Sequence, residues 1–473
     1  MRAKFALPKG LAIALGTACL FFAAVLQAQT VTELHVFTGA PDGAYPSALV
    51  QGRDGNLYGA TGGGGVSANT CSSLGYNAGC GTVFKMDALG NVTLLHSFDG
   101  TDGFGPAGVI LASDGYYYGV TGAGGANNLG TLFRISAGGI FTKLHDFANT
   151  ADGEFPQQQL LQASDGNLYG FTETGLYRAT TSGTVTTLYT FSPYPVTYIT
   201  APLIQASNGS LYATLPLGYY DGHTYPCGAI VRFTLDGAII SEHDFGCNTD
   251  QPSGYEPFSA PTQALDGNFY ATCTQAGSSG EGTAFKLDAR TGILTVLHNY
   301  TVTSEYPFAG LAQGTDGNFY GVVEYSNVAY SGTVDQVTPD GVYTELVGLP
   351  YHGEDSPYSQ LLQHTNGTFY SSVEYAENQP GYYGSVYSFD NGLGPFITFV
   401  RARARIGGTA QILGQGLTGA SGVSFNGVPA TSFSVVSDMF MTAIVPTGAT
   451  SGQVVVTIPT GSLTSNRNFQ IGH

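Results

Sequence analysis

Charged residues and tryptophan are scarce in this sequence. Tryptophan is absent, and Asp, Glu, Lys and Arg together make up only 10% of the 473 residues. Acidic residues outnumber basic ones by 33 to 15, so the surface should repel phosphate backbones and anionic lipid headgroups. We therefore expect neither a nucleic acid nor a membrane surface as a partner. Low charge does not indicate disorder here, because 42% of the residues are hydrophobic.

Long apolar runs are missing except at the N-terminus. There, three basic residues precede an apolar stretch over 11–25, and 26–28 (LQA) has the pattern of a cleavage site. This order predicts a secretory signal peptide over 1–28, since the run is short for a bilayer span of roughly 20 residues. We expect the mature protein to be exported, with no membrane insertion after cleavage.

Cysteine is rare as well, with six residues in the chain. No CxxC pair and no Cys/His spacing typical of zinc ligands occurs, so we expect no metal and no cofactor. In an oxidising compartment, Cys71 and Cys80 should close one loop as a disulfide. Cys227 and Cys247 flank a hairpin, which brings them side by side as a second disulfide. Cys273 is then left over.

One short phrase, represented by SDGNLYG at 164–170, recurs seven times. Each copy places a tyrosine four residues after an Asp or Asn that precedes a glycine. These tyrosines are Tyr58, Tyr118, Tyr169, Tyr212, Tyr270, Tyr320 and Tyr370. A repeat of this length, built from strands and glycine turns, is typical of a propeller or a solenoid.

Each repeat contains four strand-like stretches joined by Asp-Gly or Gly-Gly hairpin turns. Four antiparallel strands match one propeller blade, so seven units predict an all-β, seven-bladed β-propeller over 29–392. The stretch at 30–37 copies the fourth strand of a unit, whereas the last unit stops after its third strand. We expect the N-terminal strand to complete the last blade and close the ring.

The pattern changes near residue 392. From 393 to 473 the chain has short alternating strands and lacks the tyrosine phrase. A stretch of this length and pattern suits a small β-sandwich. We therefore predict three segments, which are a signal peptide over 1–28, a propeller over 29–392 and a second folded domain over 393–473.

Several phrases carry a resemblance to known families. The order of LLxxxDGNLYGxT, GTVFK and TxLHxF resembles the GloVer tandem repeat of bacterial choice-of-anchor surface proteins, over about residues 31–394. The C-terminal phrases ILGQGLTGASGVSFNGVPAT and VPTGATSGQVVVT resemble an IPT/TIG immunoglobulin-like domain, with VRARAR at 400–405 in place of a proline-bearing turn. The resemblance implies an exported bacterial protein, and it brings no established activity.

Two sets of polar residues occupy repeated positions. Glutamine stands three residues before the turn Asp or Asn in six units, with Leu111 in the remaining one; these are Gln51, Gln162, Gln205, Gln263, Gln313 and Gln363. They either form a ligand-binding ring or satisfy backbone groups of neighbouring blades, and we favour the second role because buried amides need partners. The fourth strands carry His35, His96, His145, His243 and His298. We expect these to be structural, since blade geometry keeps them apart on the rim.

The loops joining second to third and fourth to first strands emerge on one face, which we call the loop face. In these loops, aromatic side chains stand beside carboxylates, an arrangement that suits sugars and other hydroxyl-rich ligands. The candidate ligand-binding residues are Tyr219, Tyr220, Asp221, His223, Tyr225, Glu324, Tyr325, Tyr330, Glu374, Tyr375, Tyr382 and Tyr383. Ordinary solvated loop residues are the competing interpretation.

We predict a non-catalytic binding or cell-surface interaction protein whose loop face engages an extracellular glycan or protein. One alternative is an exported glycan lyase or hydrolase that uses Glu324 and Glu374 as acid and base. Another is a structural surface-layer component that assembles with itself and takes no soluble ligand. No Ser-His-Asp set or GxSxG motif is visible, which weighs against an enzyme.

Overall fold

A computed structural model describes most of the chain. The described residues are 29–65, 71, 79–191, 201–215, 218–220, 223–225, 227–245, 253–301, 306–324, 332–350, 354–355, 359–374, 376–377 and 382–472. All regular secondary structure in these ranges is β-strand, without a helix. The all-β prediction is confirmed for this part of the chain. The predicted signal peptide at 1–28 lies outside it.

The tyrosine repeats form seven antiparallel sheets, numbered here from 1 to 7 along the chain. Sheet 1 has its first strand in two short pieces and comprises Ala44–Pro46, Val50–Gln51, Leu57–Gly63, Thr82–Met86 and Val92–Ser97. Sheets 2 and 3 comprise Phe104–Leu111, Tyr117–Ala123, Thr131–Ile135 and Phe141–Asp146, then Pro156–Gln162, Leu168–Thr172, Gly175–Ala179 and Val185–Thr190. Sheet 4 comprises Ile204–Gln205, Leu211–Leu215, Ala229–Phe233 and Ile239–Asp244.

The remaining repeats follow the same order. Sheet 5 comprises Thr262–Gln263, Phe269–Cys273, Thr283–Leu287 and Leu294–Asn299, and sheet 6 comprises Ala312–Gln313, Phe319–Val323, Thr333–Val337 and Tyr343–Gly348. Sheet 7 comprises Leu362–Gln363, Phe369–Val373, Ser385–Asp390 and the N-terminal strand Thr30–Val36. Two further short antiparallel pairs are present, the hairpin of Gly218–Tyr220 with His223–Tyr225 and the pair of Glu354–Asp355 with Ala376–Glu377.

The two ends of the repeat array meet in space. The N-terminal strand pairs antiparallel with the third strand of sheet 7, from Thr30 opposite Asp390 to Val36 opposite Ser385. The sequence predicted that the N-terminal strand would complete the last repeat in this way. Sheets 1 and 7 are also in direct contact, because the hydroxyl of Ser372 donates to the carbonyl oxygen of Ser47 over 3.0 Å.

The repeated phrase owes its spacing to one hydrogen bond. In sheet 3, the hydroxyl of Tyr169 donates to the carboxylate of Asp165 over 2.9 Å and closes the turn between the first two strands. Gly166 occupies the turn with a φ of 89°, which an L side chain rarely adopts. Where Asn replaces Asp, the polarity reverses, and the amide of Asn208 donates to the hydroxyl of Tyr212 over 3.1 Å. The tyrosine ring is buried, so the phrase anchors each turn to the core.

The repeated glutamines join neighbouring sheets. Oε1 of Gln205 in sheet 4 accepts from the backbone N–H of Ser164 in sheet 3 over 2.8 Å, while its Nε2 donates to the carbonyl oxygen of Gly209 over 2.9 Å. Equivalent bonds run from Gln162, Gln263 and Gln313 to the preceding sheet, and Gln51 bonds Thr365 of sheet 7. The prediction that these amides satisfy backbone groups of adjacent units is confirmed for these five glutamines. Nε2 of Gln363 instead donates to Oγ1 of Thr315 in sheet 6 over 3.3 Å.

Histidines of the outer strands fasten the loops that lead to the next sheet. Nε2 of His96 lies 2.7 Å from a carboxylate oxygen of Asp102, and His145 contacts Asp152 in the same way over 2.8 Å. Each pair connects a fourth strand to the segment before the following first strand. This geometry supports the structural role expected for these histidines.

The residues after the array form two further four-stranded antiparallel sheets over one apolar core. The first sheet comprises Thr398–Phe399, Thr409–Leu413, Phe440–Ile444 and Phe433–Ser437, and the second comprises Val428–Pro429, Gly422–Phe425, Val454–Ile458 and Gly461–Thr464. Arg403–Arg405 and Gln470–Gly472 make a parallel pair at one edge. We call residues 393–472 the C-terminal unit.

The cysteines that the structure describes agree with the pairing predicted from the sequence. Cys71 and Cys80 form a disulfide, as expected. Cys227 is also disulfide-bonded, and its expected partner, Cys247, lies outside the described residues. Cys273 is a buried free thiol, and burial raises its pKa. Within the described ranges, no helix is long and apolar enough to cross a membrane.

Candidate functional site

The structure describes only part of the predicted loop-face set. Asp221, Tyr325, Tyr330 and Tyr375 lie outside the described residues. Only the backbone is described for another four, which stand in the short hairpin of sheet 4, namely Tyr219, Tyr220, His223 and Tyr225. Tyr382, Tyr383, Glu324 and Glu374 are described in full.

The two described tyrosines pack against the fold. Tyr382 is buried, and its hydroxyl donates to Oγ of Ser385 over 3.0 Å. The ring of Tyr383 lies against Gly39, so closely that a Cβ placed on this glycine would come within 3.1 Å of it. The carbonyl oxygen of Tyr383 accepts from the N–H of Tyr45 over 2.8 Å. Tyr383 therefore joins sheet 7 to sheet 1, and Tyr382 packs within sheet 7.

The carboxylates at the loop face occupy one repeated position, at the end of the second strand. Glu324 in sheet 6 is half-buried, and Glu374 in sheet 7 is exposed. Desolvation raises the pKa of the Glu374 carboxyl. In sheet 3, desolvation and then the charge of Glu154 raise the pKa of Glu173. A raised carboxyl pKa favours the protonated form that a general acid requires.

The opposite face of the array is covered by the C-terminal unit. Its contacts fall on one repeated position, the residue directly before the turn Asp or Asn, which we call the pre-turn residue. Four successive pre-turn carbonyl oxygens each accept a bond from this unit, from Gln411 to Ser113 (2.7 Å), Arg401 to Ser164 (3.4 Å), Arg403 to Ser207 (2.7 Å) and Asn468 to Leu265 (3.1 Å). The same repeat that joins the sheets thus also presents the docking surface.

Sheet 1 contributes to this interface with a side chain instead. Its pre-turn residue is Arg53, whose guanidinium donates to Oε1 of Gln411 over 2.8 Å and to the carbonyl oxygen of Ser113 over 2.9 Å. The guanidinium also lies over the ring of Phe440, 4.7 Å from its centroid. The neighbouring sheet 2 has Leu111 in place of the repeated glutamine, and leucine cannot make the usual bond between sheets. The bond from Arg53 to Ser113 joins sheets 1 and 2 instead.

A cavity of about 770 Å³ lies between the seven first strands and the C-terminal unit. Its waist is formed by the residue before each repeated glutamine or Leu111, and these are Val50, Ile110, Leu161, Ile204, Thr262, Ala312 and Leu362. Six of the seven side chains are apolar. The volume falls within the range of small-molecule sites, roughly 300–1,000 Å³.

Arginines form the polar wall of this cavity. Arg401, Arg403 and Arg467 line it from the C-terminal unit, and no Asp or Glu appears among the described lining residues. Protein surrounds the side chain of Arg467, which nevertheless keeps a large accessible surface. Arg467 lines the cavity, and the cavity accounts for this surface. Desolvation lowers the pKa of Arg467 to about 10, which leaves it protonated at neutral pH. Its one hydrogen bond in the described structure goes to the carbonyl oxygen of Phe399.

Two lining residues keep a buried acceptor oxygen without a partner in the described structure. These are Oδ1 of Asn466, beside Arg467, and Oε1 of Gln363. The orientation of the Gln363 amide is fixed, because its Nε2 donates to the carbonyl oxygen of Gly367 over 3.3 Å. Buried acceptors of this kind are costly unless a donor reaches them.

The cavity narrows towards the loop face. Nε2 of Gln360, which precedes the first strand of sheet 7, donates to Oγ1 of Thr262 in sheet 5 over 2.9 Å. It also donates to the carbonyl oxygen of Leu311 in sheet 6 over 2.6 Å. One side chain therefore spans three sheets and constricts the channel on this side.

Sequence reasoning missed the arginine wall. The visible signal was RARAR at 401–405, which places three of the chain's 15 basic residues at alternating positions. Alternation along an extended segment would direct all three arginines to one side, whereas Arg401 and Arg403 line the cavity and Arg405 is exposed outside its lining. Nothing in the sequence showed that this side meets the repeat array, and Arg467 stands alone in its segment. Within the described residues, no group of His, Cys, Asp or Glu side chains is placed to hold a metal ion.

The repeat is shared with a known protein family. A family model described as the Gloeobacter/Verrucomicrobia repeat matches residues 15–219 and 199–433, which together cover most of the chain. No curated protein matches the sequence.

Solved structures match at low identity. The extracellular domain assigned to a hybrid two-component system, BT3049 from B. thetaiotaomicron, is 12% identical with a TM-score of 0.47, and the match covers 94% of this chain and 55% of that one. A second such domain from the same organism, BT4673, is 10% identical with a TM-score of 0.49, covering 93% and 46%. The gluconolactonase XC5397 from Xanthomonas campestris is 14% identical with a TM-score of 0.38, covering 77% and 90%. The chain spans about half the length of the first two, and matches this distant carry no functional argument.

Proposed function

We propose a function for this chain as a member of the Gloeobacter/Verrucomicrobia repeat family, to which it belongs. We infer that its seven sheets form a closed, seven-bladed β-propeller over 29–392. Two observations support the ring, the pairing of the N-terminal strand with sheet 7 and the contacts between sheets 1 and 7. We also infer that 393–473 is an immunoglobulin-like domain of the IPT/TIG type, supported by two four-stranded sheets around one core.

The protein acts outside the cytoplasm in this proposal. The disulfide between Cys71 and Cys80 and the bonded state of Cys227 support an oxidising compartment. The basic and apolar start of the chain supports export by a signal peptide over 1–28. The destination is the medium, the cell surface or the periplasm.

The proposed activity is non-catalytic binding of an extracellular glycan at the loop face. The observation that carries it is the position of the C-terminal unit, which covers the turn side of the array with contacts to four successive pre-turn residues. The loop face is thereby left as the broad surface open to a large partner. Aromatic residues and carboxylates of the predicted set stand on the loops of that face, and such pairs suit hydroxyl-rich ligands.

The test is retention of purified 29–473 on a panel of bacterial and plant polysaccharides. The double variant Glu324→Ala/Glu374→Ala should lose retention, whereas Asp340→Asn should keep it, because Asp340 is an exposed acid in a fourth-strand hairpin on the opposite side. Retention that is equal in both variants would place the contact elsewhere. Absence of retention together with self-assembly in sedimentation would favour a surface-layer component, and capture of a protein partner alone would exclude a glycan.

An exported glycan hydrolase or lyase is the second candidate. It is favoured by the raised carboxyl pKa of Glu374 at a position equivalent to that of Glu324 in the adjacent sheet. The same incubations should then release reducing or unsaturated ends. Release that disappears in Glu374→Gln, while retention persists, would establish this candidate over simple binding.

A further inference from the structure

The cavity behind the loop face combines features that the docking of the C-terminal unit does not require. A docking arginine needs only a carbonyl oxygen, and Arg403 finds one at Ser207. Among the described residues, Arg467 uses a single donor, to Phe399, and its side chain lines the cavity. A guanidinium has five donors arranged in a fork that matches carboxylate, phosphate or sulfate.

The charge in the cavity is unbalanced. Three arginines line it, no described lining residue is acidic, and the chain as a whole carries a net charge of −18. A buried cation without a counter-charge is unfavourable unless an anion or water compensates it. Desolvation already weakens the charged form of Arg467, and a bound anion would restore it.

The remaining lining residues indicate what the non-anionic part of the ligand should be. The lining also carries polar side chains, among them Ser451, Asn468 and Gln470. Hydroxyl groups of a ligand can pair with such side chains, whereas a simple inorganic anion has no hydroxyl to offer. The apolar waist offers contact to the C–H face of a sugar ring, and 770 Å³ accommodates more than one ring.

We propose that this cavity is a binding site for a small, polyhydroxylated organic anion, in which Arg467 with Arg401 and Arg403 holds the anionic group and polar lining side chains such as Asn468 pair with its hydroxyls. Acidic sugars, sugar phosphates and sugar sulfates share this chemistry. The site is separate from the loop face, so the proposal does not depend on polymer retention there. Gln360 separates the two regions by constricting the channel between them.

The test is calorimetric titration of 29–473 with four probes. Digalacturonate, glucose 6-phosphate and galactose 6-sulfate represent the three anionic groups, and galactobiose is the neutral control. At least one anionic probe should bind, and galactobiose should bind about tenfold or more weakly, because a charge-assisted bidentate bond is lost. Inorganic sulfate should also bind more weakly than the best anionic probe, since it lacks hydroxyl donors.

Matched variants assign the binding to the cavity. Arg467→Gln should weaken the best probe by about tenfold or more, while Arg405→Gln, an exposed arginine on the same strand as Arg403 and outside the cavity lining, should leave it unchanged. Arg401→Gln should weaken binding several-fold with little loss of thermal stability, because Arg401 lines the cavity and its hydrogen bond to Ser164 is long, at 3.4 Å. This second variant keeps the test valid if Arg467→Gln unfolds.

Several results would overturn the proposal. They are failure of all three anionic probes to bind, equal binding of galactobiose, inorganic sulfate binding as tightly as the best sugar anion, and binding that survives both Arg467→Gln and Arg401→Gln. Loss of polysaccharide retention in the loop-face variants, with probe binding intact, would instead leave the cavity site standing and concern the loop face alone.

Discussion

The guanidinium of Arg403 donates a hydrogen bond to the carbonyl oxygen of Ser207 over 2.7 Å. The N–H of the same Ser207 donates to Oε1 of Gln263 in the next sheet, also over 2.7 Å. A single pre-turn residue therefore connects three parts of the chain, namely its own sheet, its neighbour and the C-terminal unit. Because the position recurs in every repeat, the array presents a row of equivalent carbonyl oxygens, and the C-terminal unit uses four of them in succession.

Removing the Arg403 side chain should loosen the C-terminal unit. We expect Arg403→Ala to lower the free energy of unfolding by about 1–2 kcal/mol, because a charge-assisted hydrogen bond to a half-buried carbonyl is lost. Limited proteolysis near residues 391–396 should become faster. Arg405→Ala is the control, since Arg405 is exposed. Indistinguishable cleavage rates for the two variants would show that this contact does not hold the interface.

The repeated glutamine should stabilise the fold through its bond to the neighbouring sheet. Gln205→Leu leaves the N–H of Ser164 without its acceptor, and we expect a loss of about 1–3 kcal/mol in the free energy of unfolding. Leu111→Met is the matched control at the equivalent position of sheet 2, with a cost below about 1.5 kcal/mol. The measurement is urea unfolding of both variants. A cost for Gln205→Leu no greater than the control would contradict the bonding role.

The repeat made much of this architecture predictable. A contact that recurs seven times leaves a pattern in the sequence, so the tyrosine turns, the four-strand units and the pairing of Thr30–Val36 with Ser385–Asp390 were all expected. The role of the glutamines followed from the same argument, since a shared position implies a shared partner.

The docking of the C-terminal unit could not be predicted in this way. Arg403 and Ser207 are 196 residues apart, and their contact occurs once. The alternation of arginines at 401–405 did not show which surface they meet. The cavity depends on that docking, so its arginine wall was invisible as well. For the loop face, the sequence supplied candidates, and the described part of the structure shows Tyr382 to be buried.

The turn phrase contains a testable coupling between two positions. Asp165 accepts from both the hydroxyl of Tyr169 and the amide of Asn167. In sheet 4 the turn residue is Asn208, which donates to its tyrosine, and the residue two places on is Ser210. Asp165→Asn should therefore set two amide donors against each other and cost about 1 kcal/mol.

Adding Asn167→Ser to Asp165→Asn should recover most of that loss and reproduce the arrangement of sheet 4. Thermal unfolding of the wild type, both single variants and the double variant gives the coupling energy, which we expect to be favourable by about 0.5 kcal/mol or more. Additive effects of the two substitutions would show that the turns with Asp and Asn do not exchange partners in this way.

The last prediction concerns His298 and the stability of the rim in acid. The ring of His298 in sheet 5 stacks on Tyr343 in sheet 6, with centroids 3.9 Å apart, and burial lowers its pKa to about 4. In the unfolded chain the ordinary value is about 6.5, so the unfolded state binds the proton first as pH falls. The stabilisation is complete above pH 6.5 and is lost progressively between pH 6.5 and pH 4.

His298→Phe keeps a stacking ring and removes the titration. Its stability relative to the wild type should therefore rise by about 1–2 kcal/mol between pH 7 and pH 4, a value below the full effect of the pKa shift because solvent screens a half-buried ring. Ile293→Ala is the control and should follow the wild type, because Ile293 is exposed and the substitution leaves His298 and Tyr343 in place. The measurement is the urea midpoint of each protein at four pH values across this range. Parallel curves for His298→Phe and the wild type would mean that the histidine takes up its proton at the same pH in the folded and unfolded states, contrary to its burial.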